Sequence, residues 1–329
     1  MQILITGVTG FVGGHLAELL ASRKEAKIYG IARTPTWLPI WEDLASRVTL
    51  LPANWQLEAL VELFNQIKPD WIFHLAGYAN AGQSFKEPQE SWEGNFQLTK
   101  TLYEACLQAR DQSGIKPRIL YVSSGLIYGK PDEDQIQCTE KTVLKPLTPY
   151  ALSKSSADLL SFQYSQAYGL DIVRVRPFNH IGPKQSSDYA AANFARQLAA
   201  IQLGFQQPIL ETGDLSAQRD FSDVRDIVLA YVQLLERAAS GSIYNVGSGT
   251  CYSIQELLNI LVKLSGLKID IRAKVDPSRQ RDSQAISTSL DKITAEIGWF
   301  PKISLETTLQ DMLIDWQNRL RRSGKATEY

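Results

Sequence analysis

The chain has 329 residues, and its 34 lysines and arginines nearly balance its 35 aspartates and glutamates, which leaves a formal net charge of −1 at pH 7. Because the basic residues are scattered and form no stripe, the composition argues against a nucleic-acid-binding protein. A chain of this length can bury a large core, so two unequal domains are expected. No apolar stretch reaches membrane length, and a membrane partner is not expected.

The earliest residues and the cysteines bear on where the protein works. A strand-like run begins at Gln2, which leaves no room for a signal peptide. Cys106, Cys138 and Cys251 are an odd, widely spaced set, as is typical of a reducing compartment. We therefore predict a cytoplasmic protein. The three histidines are too few and too far apart in sequence to indicate a metal site, and no metal is expected.

Residues 2–6 form the first predicted strand, and glycines follow it at the spacing G-x-x-G-x-x-G. An amphipathic helix is predicted from residue 11 to about residue 22. A glycine loop between a strand and a helix N-terminus allows a pyrophosphate to approach backbone amides. We therefore predict a dinucleotide at this loop; the alternative is a tight turn without a ligand. The predicted contacts are Gly7, Gly10, Phe11, Val12 and Gly13.

The residue after the second predicted strand bears on the choice of dinucleotide. Residues 27–32 form this strand, Arg33 follows it, and no carboxylate occurs before Glu42. An acidic residue near Arg33 would favour NAD by bonding its ribose, whereas an arginine can pair with a 2′-phosphate. The sequence therefore favours NADP, with NAD possible. The alternative is that Arg33 is a solvated loop charge.

Strand and helix patterns alternate through the first half of the chain, which predicts a doubly wound parallel sheet. Beyond Arg176 the pattern loosens, and regular elements return only in the stretches 224–237 and 241–246 and from residue 305. We expect residues 1–176 to form the dinucleotide-binding domain, with late elements from about 219–247. Residues 177–329 should form mainly a smaller, mixed α/β substrate domain. The earlier predicted elements are strands at 71–75, 118–123 and 171–175 and helices at 89–110 and 149–167.

A possible catalytic group lies in the predicted helix that starts near Pro149. Tyr150 and Lys154 are four residues apart and share a helix face, so the ammonium favours the phenolate and lowers the tyrosine pKa. Such a phenol can exchange a proton with a carbonyl or an alcohol. Ser124 follows the predicted strand 118–123, at the sheet edge where substrates bind, and could hold the substrate oxygen. This pattern favours carbonyl redox chemistry over the alternative of a solvated helix face.

Several motifs occur in the order found in extended short-chain dehydrogenases/reductases, and the chain resembles that family, also called the NAD-dependent epimerase/dehydratase family, nearly end to end. The family implies a Rossmann-type sheet, a bound nicotinamide dinucleotide and a nucleoside-diphosphate sugar in the smaller domain. It also implies a homodimer, because the helices at 89–110 and 149–167 match the elements that form a four-helix bundle in related enzymes. The alternative is that the rest of the chain covers these helices. The motifs are the glycine loop and the stretches 74–77, 121–129, 150–154, 176–179, 182–183 and 219–221.

The resemblance also implies roles for individual residues. Ser124, Tyr150 and Lys154 match the catalytic residues of the family, and Tyr150 and Lys154 also contact the cofactor. Leu75 and Ala76 match further cofactor contacts. The expected contacts to the nucleotide sugar are Ser124, Asn179, Arg219 and Arg281.

Two stretches, 178–183 and 276–283, are similar to GDP-4-keto-6-deoxy-mannose reductases and GDP-mannose 4,6-dehydratases. The dehydratases need a carboxylate at the position of Leu126, and GDP-sugar enzymes usually carry one at the position of Gln284. We therefore predict an NADP-dependent oxidoreductase that reduces the 4-keto group of a nucleotide sugar, specifically GDP-4-keto-6-deoxy-mannose. The nearest alternative is a nucleotide-sugar 4-epimerase with tightly bound NAD. A GDP-mannose 4,6-dehydratase and a non-catalytic dinucleotide-binding protein are further alternatives.

Overall fold

The computed structural model describes residues 1–23, 25–130, 137–274 and 286–324. Its strands are β1 (Gln2–Thr6), β2 (Lys27–Ala32), β3 (Val48–Pro52), β4 (Trp71–His74), β5 (Arg118–Val122), β6 (Gln137–Cys138), β7 (Ile172–Pro177), β8 (Asn179–Ile181), β9 (Ile209–Thr212), β10 (Gln218–Asp223), β11 (Ile243–Val246), β12 (Cys251–Ser253), β13 (Asp270–Ala273) and β14 (Ser287–Thr288). Its α-helices are α1 (Phe11–Ala21), α2 (Leu57–Ile67), α3 (Pro88–Trp92), α4 (Leu98–Ser113), α5 (Pro149–Tyr168), α6 (Ala190–Gln202), α7 (Val224–Arg237), α8 (Ile254–Ser265), α9 (Asp291–Ile297) and α10 (Leu305–Ser323). Short 3-10 turns occur at Pro39–Leu44, Gln83–Phe85 and Gly125–Tyr128.

Within the described residues, seven strands form one parallel sheet in the order β11-β7-β5-β4-β1-β2-β3. Ile3, Leu4 and Ile5 of β1 have no exposed surface, as expected for a parallel strand covered on both faces. The strand order reverses between β1 and β4, which are paired directly, with Thr6 opposite His74. Ligands of such sheets bind beyond the carboxyl ends of the strands at this reversal. The predicted Rossmann-type doubly wound sheet is confirmed.

The chain divides into two compact units. The first consists of Met1–Pro177, Val228–Val246 and Leu290–Trp299. It contains the parallel sheet, and part of its core is formed by buried side chains from α2, α4 and the neighbouring strands, among them Leu60, Phe64, Leu102 and Ile119.

The second unit consists of Phe178–Ile227, Gly247–Ser289 and Phe300–Tyr329. Its strand β10 pairs in parallel with β8 and antiparallel with β12, while β9 pairs in parallel with β13. A core that includes Phe194, Leu198, Leu261, Leu309 and Trp316 joins α6, α8 and α10. The sequence pattern did not predict α6 or α8, and this region is more regular than expected.

The helix predicted over 89–110 is interrupted. Between α3 and α4 the chain forms one π-helical turn, Glu93–Gln97. Turns of this kind inside helices frequently occur at functional sites because they shift the face that the following residues present. None of the helices in the described part of the chain combines the length and hydropathy that a membrane span requires.

Candidate active site

The glycine loop joins β1 to α1 with almost no spare space. Gly7 has φ +73°, and a Cβ there would lie 3.0 Å from the amide nitrogen of Ala76. A Cβ on Gly13 would lie 2.2 Å from the carbonyl oxygen of Gly7. The first turn of α1 contains Phe11 and Val12 and carries no acidic residue. A loop that has glycine at its points of closest approach, before a helix N-terminus without acidic residues, fits the chemistry of a pyrophosphate.

A chain of hydrogen bonds ties the loop after β1 to the loop after β4. The amide of Ala76 donates to Oγ1 of Thr6 over 3.0 Å, and Thr6 Oγ1 lies 2.9 Å from His74 Nδ1. On the other side of the ring, His74 Nε2 lies 3.0 Å from Oγ1 of Thr99, which donates its own proton to the carbonyl of Asn95. His74 Nε2 therefore carries the ring proton, and Nδ1 accepts from Thr6.

His74 keeps this arrangement over the working pH range. Burial, followed by the positive charge of Lys154, lowers the pKa of His74 from 6.5 to about 3. The neutral imidazole therefore holds Leu75 and Ala76 beside the glycine loop. His74 and Thr6 were not among the predicted site residues, and their effect on the cofactor loops follows only from the strand pairing.

Arg33 lies directly after β2 and is exposed. The amide of Gly7 donates to the carbonyl of Ile31 over 2.9 Å, so the glycine loop runs beside the end of β2. Arg33 therefore follows the strand that borders the glycine loop, where a 2′-phosphate contact was predicted.

Ser124 occupies the carboxyl end of β5, as predicted. It is 7% exposed, and its Oγ accepts from the amide of Leu126 over 3.2 Å, which caps the turn Gly125–Tyr128. Leu126 is half-buried and has no titratable group. The turn therefore supplies a hydroxyl and no carboxylate at the position where a dehydratase would need one.

The helix α5 carries both other members of the predicted catalytic group. Pro149 occupies its first turn, and Oγ1 of Thr148 caps it by accepting from the amide of Ala151 over 3.0 Å. Tyr150 follows in the same turn and is half-buried. Lys154 is buried one turn later, and its Nζ donates to the carbonyl of Val122 over 3.0 Å, two residues before Ser124. The structure thus links the ammonium to the last residue of β5, two residues before Ser124.

The environment of Lys154 changes its protonation. Burial lowers the pKa of Lys154 from 10.5 to about 8. Burial is also the largest cause of the raised pKa of Tyr121 and of Tyr231. The lowered pKa of Tyr150 itself stays a prediction.

Asn95 is a candidate site residue that the sequence pattern did not reveal. It lies in the π-helical turn, is 1% exposed, and donates from Nδ2 to Oγ of Ser153 over 3.0 Å. A Cβ on Gly77 would lie 2.5 Å from Asn95 Oδ1 and 3.3 Å from Lys154 Nζ. Asn95 Oδ1 is buried and accepts no hydrogen bond from the described residues. An unsatisfied acceptor beside a buried ammonium and a bare glycine fits a ligand site at this point.

Two of the predicted sugar-nucleotide contacts, Asn179 and Arg219, lie on strands of the second unit. Asn179 of β8 is exposed, and Arg219 of β10 is half-buried. Asn179 is paired with Phe221, so Arg219, two residues earlier on β10, lies on the same face of this sheet as Asn179. Arg281 and Gln284 lie outside the described residues.

Asp220 fixes the strand beside Arg219 and was also missed. Its carboxylate accepts from the amides of Ser248, Gly249 and Thr288 over 2.7–3.1 Å. Burial raises the pKa of Asp220, while these hydrogen bonds oppose that shift. Asp220 therefore fastens β10 to two further segments of the second unit.

The chain was compared with known protein families and structures. The family described as GDP-mannose 4,6 dehydratase matches residues 4–312. The chain belongs to this family. The resemblance to extended short-chain dehydrogenases/reductases that the motifs predicted is confirmed.

Members of this family and its neighbours differ in the reaction they catalyse. The chain is 35% identical to GDP-6-deoxy-D-mannose reductase of Pseudomonas aeruginosa, over 97% of this chain and 98% of the relative. The solved structure of RMD from Pseudomonas aeruginosa complexed with NADPH matches with a TM-score of 0.80 and 32% identity, covering 97% of this chain and 99% of that one. UDP-glucose 4-epimerase of Thermus thermophilus, complexed with NAD, matches with a TM-score of 0.83 and 25% identity, over 96% and 99% of the two chains.

Proposed function

We propose that the protein is an NADPH-dependent reductase of a 4-keto nucleotide sugar, with GDP-4-keto-6-deoxy-mannose as its substrate. The observation that carries this proposal is a buried Lys154, bonded to the end of β5 just before Ser124 and one turn from Tyr150. The chain is also 35% identical to a GDP-6-deoxy-D-mannose reductase. The first unit would hold the dinucleotide and the second the sugar nucleotide. Three free cysteines agree with the cytoplasm as the place of action.

The cofactor is proposed to bind along the loops at the reversal of the sheet. The pyrophosphate would contact Gly7, Gly10 and the first turn of α1 at Phe11, Val12 and Gly13. Arg33 would meet the 2′-phosphate, Leu75 and Ala76 would border the dinucleotide, and Tyr150 and Lys154 would contact it near the substrate. NADPH bound there supplies the hydride that the C4 carbonyl carbon accepts.

The side chains of the proposed catalytic group then act on the carbonyl oxygen. Ser124 donates a hydrogen bond to it and polarises the carbonyl. Tyr150 gives its proton to the developing alkoxide, and the positive charge of Lys154 favours the phenolate that remains. Leu126 and Gly125 cannot move a proton, so these two positions offer no acid or base for the elimination of water that a 4,6-dehydratase needs.

The sugar nucleotide is proposed to bind through the face that Asn179 and Arg219 share, together with Arg281 and Ser124. A guanidinium can bind diphosphate oxygens bidentately, and an amide adds a neutral donor. The half-buried position of Arg219 and the anchoring of the neighbouring Asp220 support a fixed cation at this point.

The test is NADPH oxidation with GDP-4-keto-6-deoxy-mannose, compared with the corresponding UDP- and dTDP-linked ketosugars. Turnover on the GDP compound alone is the expected result. Turnover on another ketosugar alone would overturn the assigned base, and no oxidation with any of them would overturn the reductase proposal.

A nucleotide-sugar 4-epimerase is the second candidate, favoured by the structural likeness to a UDP-glucose 4-epimerase complexed with NAD. It would use Ser124, Tyr150 and Lys154 but would retain its NAD and return the hydride to the opposite face of the sugar. A purified protein that carries non-exchanging NAD and needs no added cofactor would establish this alternative. A non-catalytic dinucleotide-binding role gives no reason for all three residues to be present.

Replacing Arg33 by serine should change the choice of cofactor. Without the guanidinium, the 2′-phosphate of NADPH loses a charge-assisted contact, so KM for NADPH should rise about 10- to 100-fold. KM for NADH should change by less than about threefold, because NADH has no phosphate there. The measurement is steady-state kinetics with both cofactors at a saturating ketosugar concentration. Arg47→Ser is a suitable control, since Arg47 is bound to Asp43 on the surface. Equal changes for the two cofactors would contradict the assignment of Arg33.

A homodimer is proposed to form through α5. Leu152, Leu159 and Phe162 are 52%, 58% and 45% exposed and lie on one face of this helix. A cleft of ≈ 440 Å³, lined in part by Trp92, Pro149 and Leu152, continues this apolar surface. Several exposed apolar side chains on one face of a helix are typical of a covered interface.

Leu159→Arg should dissociate this dimer, because the charge would have to be buried against the partner's helix. Sedimentation velocity at micromolar concentration should show a dimer for the unsubstituted protein and a monomer for the Leu159→Arg variant. Val143→Arg, at an exposed apolar residue away from α5, should leave the dimer intact. A monomeric original protein, or a dimeric Leu159→Arg variant, would contradict the proposed interface.

A further inference from the structure

A buried polar cluster in the first unit connects β7, α5, β11 and the turn after Ser124. Arg176 of β7 binds Asp158 of α5 through both ends of the carboxylate, with Nε to Oδ2 at 3.0 Å and Nη2 to Oδ1 at 3.2 Å. The remaining nitrogen, Nη1, donates to the hydroxyl of Tyr128 over 2.9 Å. Tyr128 in turn donates to Oδ1 of Asn245 over 2.6 Å. One guanidinium thus joins α5 to the turn that Ser124 caps.

The hydrogen bonds of the cluster hold the Arg176 guanidinium in one orientation. Asp158 has no exposed surface and Arg176 is 5% exposed, so neither charge is solvated and each depends on the other. The guanidinium is a rigid, planar fork whose donors match a carboxylate in one orientation. Arg174, two residues earlier on β7, adds a third donor to Asp158 over 3.0 Å. A buried pair of this kind is a poor source of stability compared with apolar packing, which makes a positional role the more useful explanation.

Both ends of the cluster lead to the proposed catalytic residues. Asp158 lies four residues after Lys154 and eight after Tyr150, on the side of α5 that faces the sheet. Lys154 fixes this helix to β5 and Asp158 fixes it to β7, one turn apart.

At the other end, Tyr128 is the last residue of the turn that begins after Ser124. Gly129 then leaves the turn at φ +59°, where a Cβ would lie 1.6 Å from the carbonyl oxygen of Lys145. The chain at Gly129 therefore lies directly against Lys145, and the hydroxyl of Tyr128 bonds the turn to Arg176.

We propose that Arg176 is a positioning residue that sets the hydroxyl of Ser124 against the phenol of Tyr150. It holds the Ser124 turn through Tyr128 and the Tyr150 helix through Asp158, so both hydroxyls meet the same substrate oxygen. The inference rests on the proposed function only in requiring that Ser124 and Tyr150 act on one oxygen, which holds for the reductase and for the epimerase.

Tyr128→Phe is the sharpest test, because it removes the link to Arg176 and keeps the ring. We expect kcat to fall about 10- to 100-fold, since a displacement near 1 Å of a group that orients the reaction has effects of this size. The Kd for NADPH should stay within about twofold, because Tyr128 lies outside the loops that are proposed to hold the cofactor. Tyr103→Phe is the matched control: Tyr103 is also fully buried and bonds α5 through Ser161, 2.7 Å away, but does not touch the Ser124 turn. Equal losses of kcat in the two variants would overturn the proposal.

A double-mutant cycle separates positioning of Ser124 from general damage. If Tyr128 acts through Ser124, then adding Tyr128→Phe to Ser124→Ala should produce no further fall in kcat. Multiplicative losses would show that the cluster acts elsewhere and would overturn the proposal. If the ketosugars are not reduced but a nucleotide sugar is epimerised, the reductase function fails while the same cycle, run on epimerisation, still decides the role of Arg176.

Hydrogen exchange tests the same proposal without measuring turnover, so it can also be applied to variants with reduced stability. In Tyr128→Phe, hydrogen exchange should become faster at the amides of Leu126 and Gly129, which bond within the turn, and should stay unchanged along α5. Arg176→Lys keeps the charge and loses the fork, so it should show the same local pattern and also loosen α5 near Asp158. Unchanged exchange in the turn in both variants would overturn the proposal.

Discussion

Tyr150→Phe is expected to lower kcat by about 10² to 10⁴-fold, the range over which positioned acids and bases contribute. The phenol is the group proposed to protonate the developing alkoxide, and phenylalanine retains its ring but has no proton to give. Cofactor binding should be nearly unchanged, with the Kd for NADPH within about twofold, because the pyrophosphate is proposed to bind backbone amides of the glycine loop. The measurement combines stopped-flow NADPH oxidation with fluorescence titration of the cofactor.

Tyr168→Phe is the matched control for this substitution. Tyr168 is the last residue of the same helix and is 47% exposed, far along α5 from Tyr150. Its kcat should not change. If Tyr150→Phe lost turnover and cofactor binding together, the phenol would be a binding group and the role proposed for it would be wrong.

The cofactor end of the fold was predictable because its signals are local in sequence. The strand β1, the glycine loop and α1 follow one another within Gln2–Ala21, and each depends on neighbouring residues only. The same holds for α5, where Thr148 and Pro149 mark the helix start and place Tyr150 and Lys154 one turn apart. Motif spacing was therefore sufficient to place these residues.

The residues that the sequence did not reveal act over long distances along the chain. His74 contacts Thr6, 68 residues away, and Asn95 contacts Ser153, 58 residues away. Asn95 is also displaced by a π-helical turn, and the periodicity of 89–110 predicted an ordinary helix there. No pattern in a single sequence marks such a turn, because it is set by the packing of the loop at Gly77 against it.

The second unit contains one signal that was available and not used. Ser253 and Glu256 form a capping box at the start of α8, in which each side chain binds the other's backbone. This serine-to-glutamate spacing before an apolar run predicts a helix start. The alanine-rich α6 has no side-chain cap, and its formation depends on the core shared with α8 and α10. Prediction of α6 therefore needed tertiary contacts.

Lys154 combines a proposed catalytic role with a penalty for stability. Its pKa is 10.5 in an unfolded chain and about 8 in the fold, because burial disfavours the ammonium. Below pH 8 Lys154 is protonated in both the folded and the unfolded chain, so the fold bears the full cost of burying the ammonium. Between pH 8 and 10.5 the fold has released a proton that the unfolded chain still holds, so the free energy of unfolding rises with pH in this window. At about 1.4 kcal/mol per pKa unit, the penalty at pH 7 is about 3 kcal/mol.

Lys154→Met should therefore give a more stable and inactive protein. Removing the ammonium removes the burial penalty, but the lost hydrogen bond to the carbonyl of Val122 costs about 1 kcal/mol. The free energy of unfolding at pH 7 should therefore rise by about 2 kcal/mol, and Tm by about 4 °C. Loss of the charge beside Tyr150 should lower kcat by about 10² to 10⁴-fold. Calorimetry and kinetics on the same preparation measure both effects. A lower Tm would show that the ammonium stabilises the fold, contrary to the burial argument.

The pH dependence of kcat/KM tests the protonation of Lys154 independently of the stability measurement. In the original protein kcat/KM for the ketosugar should fall above about pH 8, as the buried ammonium loses the proton whose charge supports Tyr150. Lys154→Arg keeps a positive charge at every working pH, since a guanidinium has a pKa above about 12. Its kcat/KM is expected to be lower because the larger head displaces the contact to Val122, but the decline above pH 8 should disappear. If kcat/KM of the arginine variant still declined above pH 8, the group that titrates there would not be residue 154, because an arginine keeps its proton at this pH.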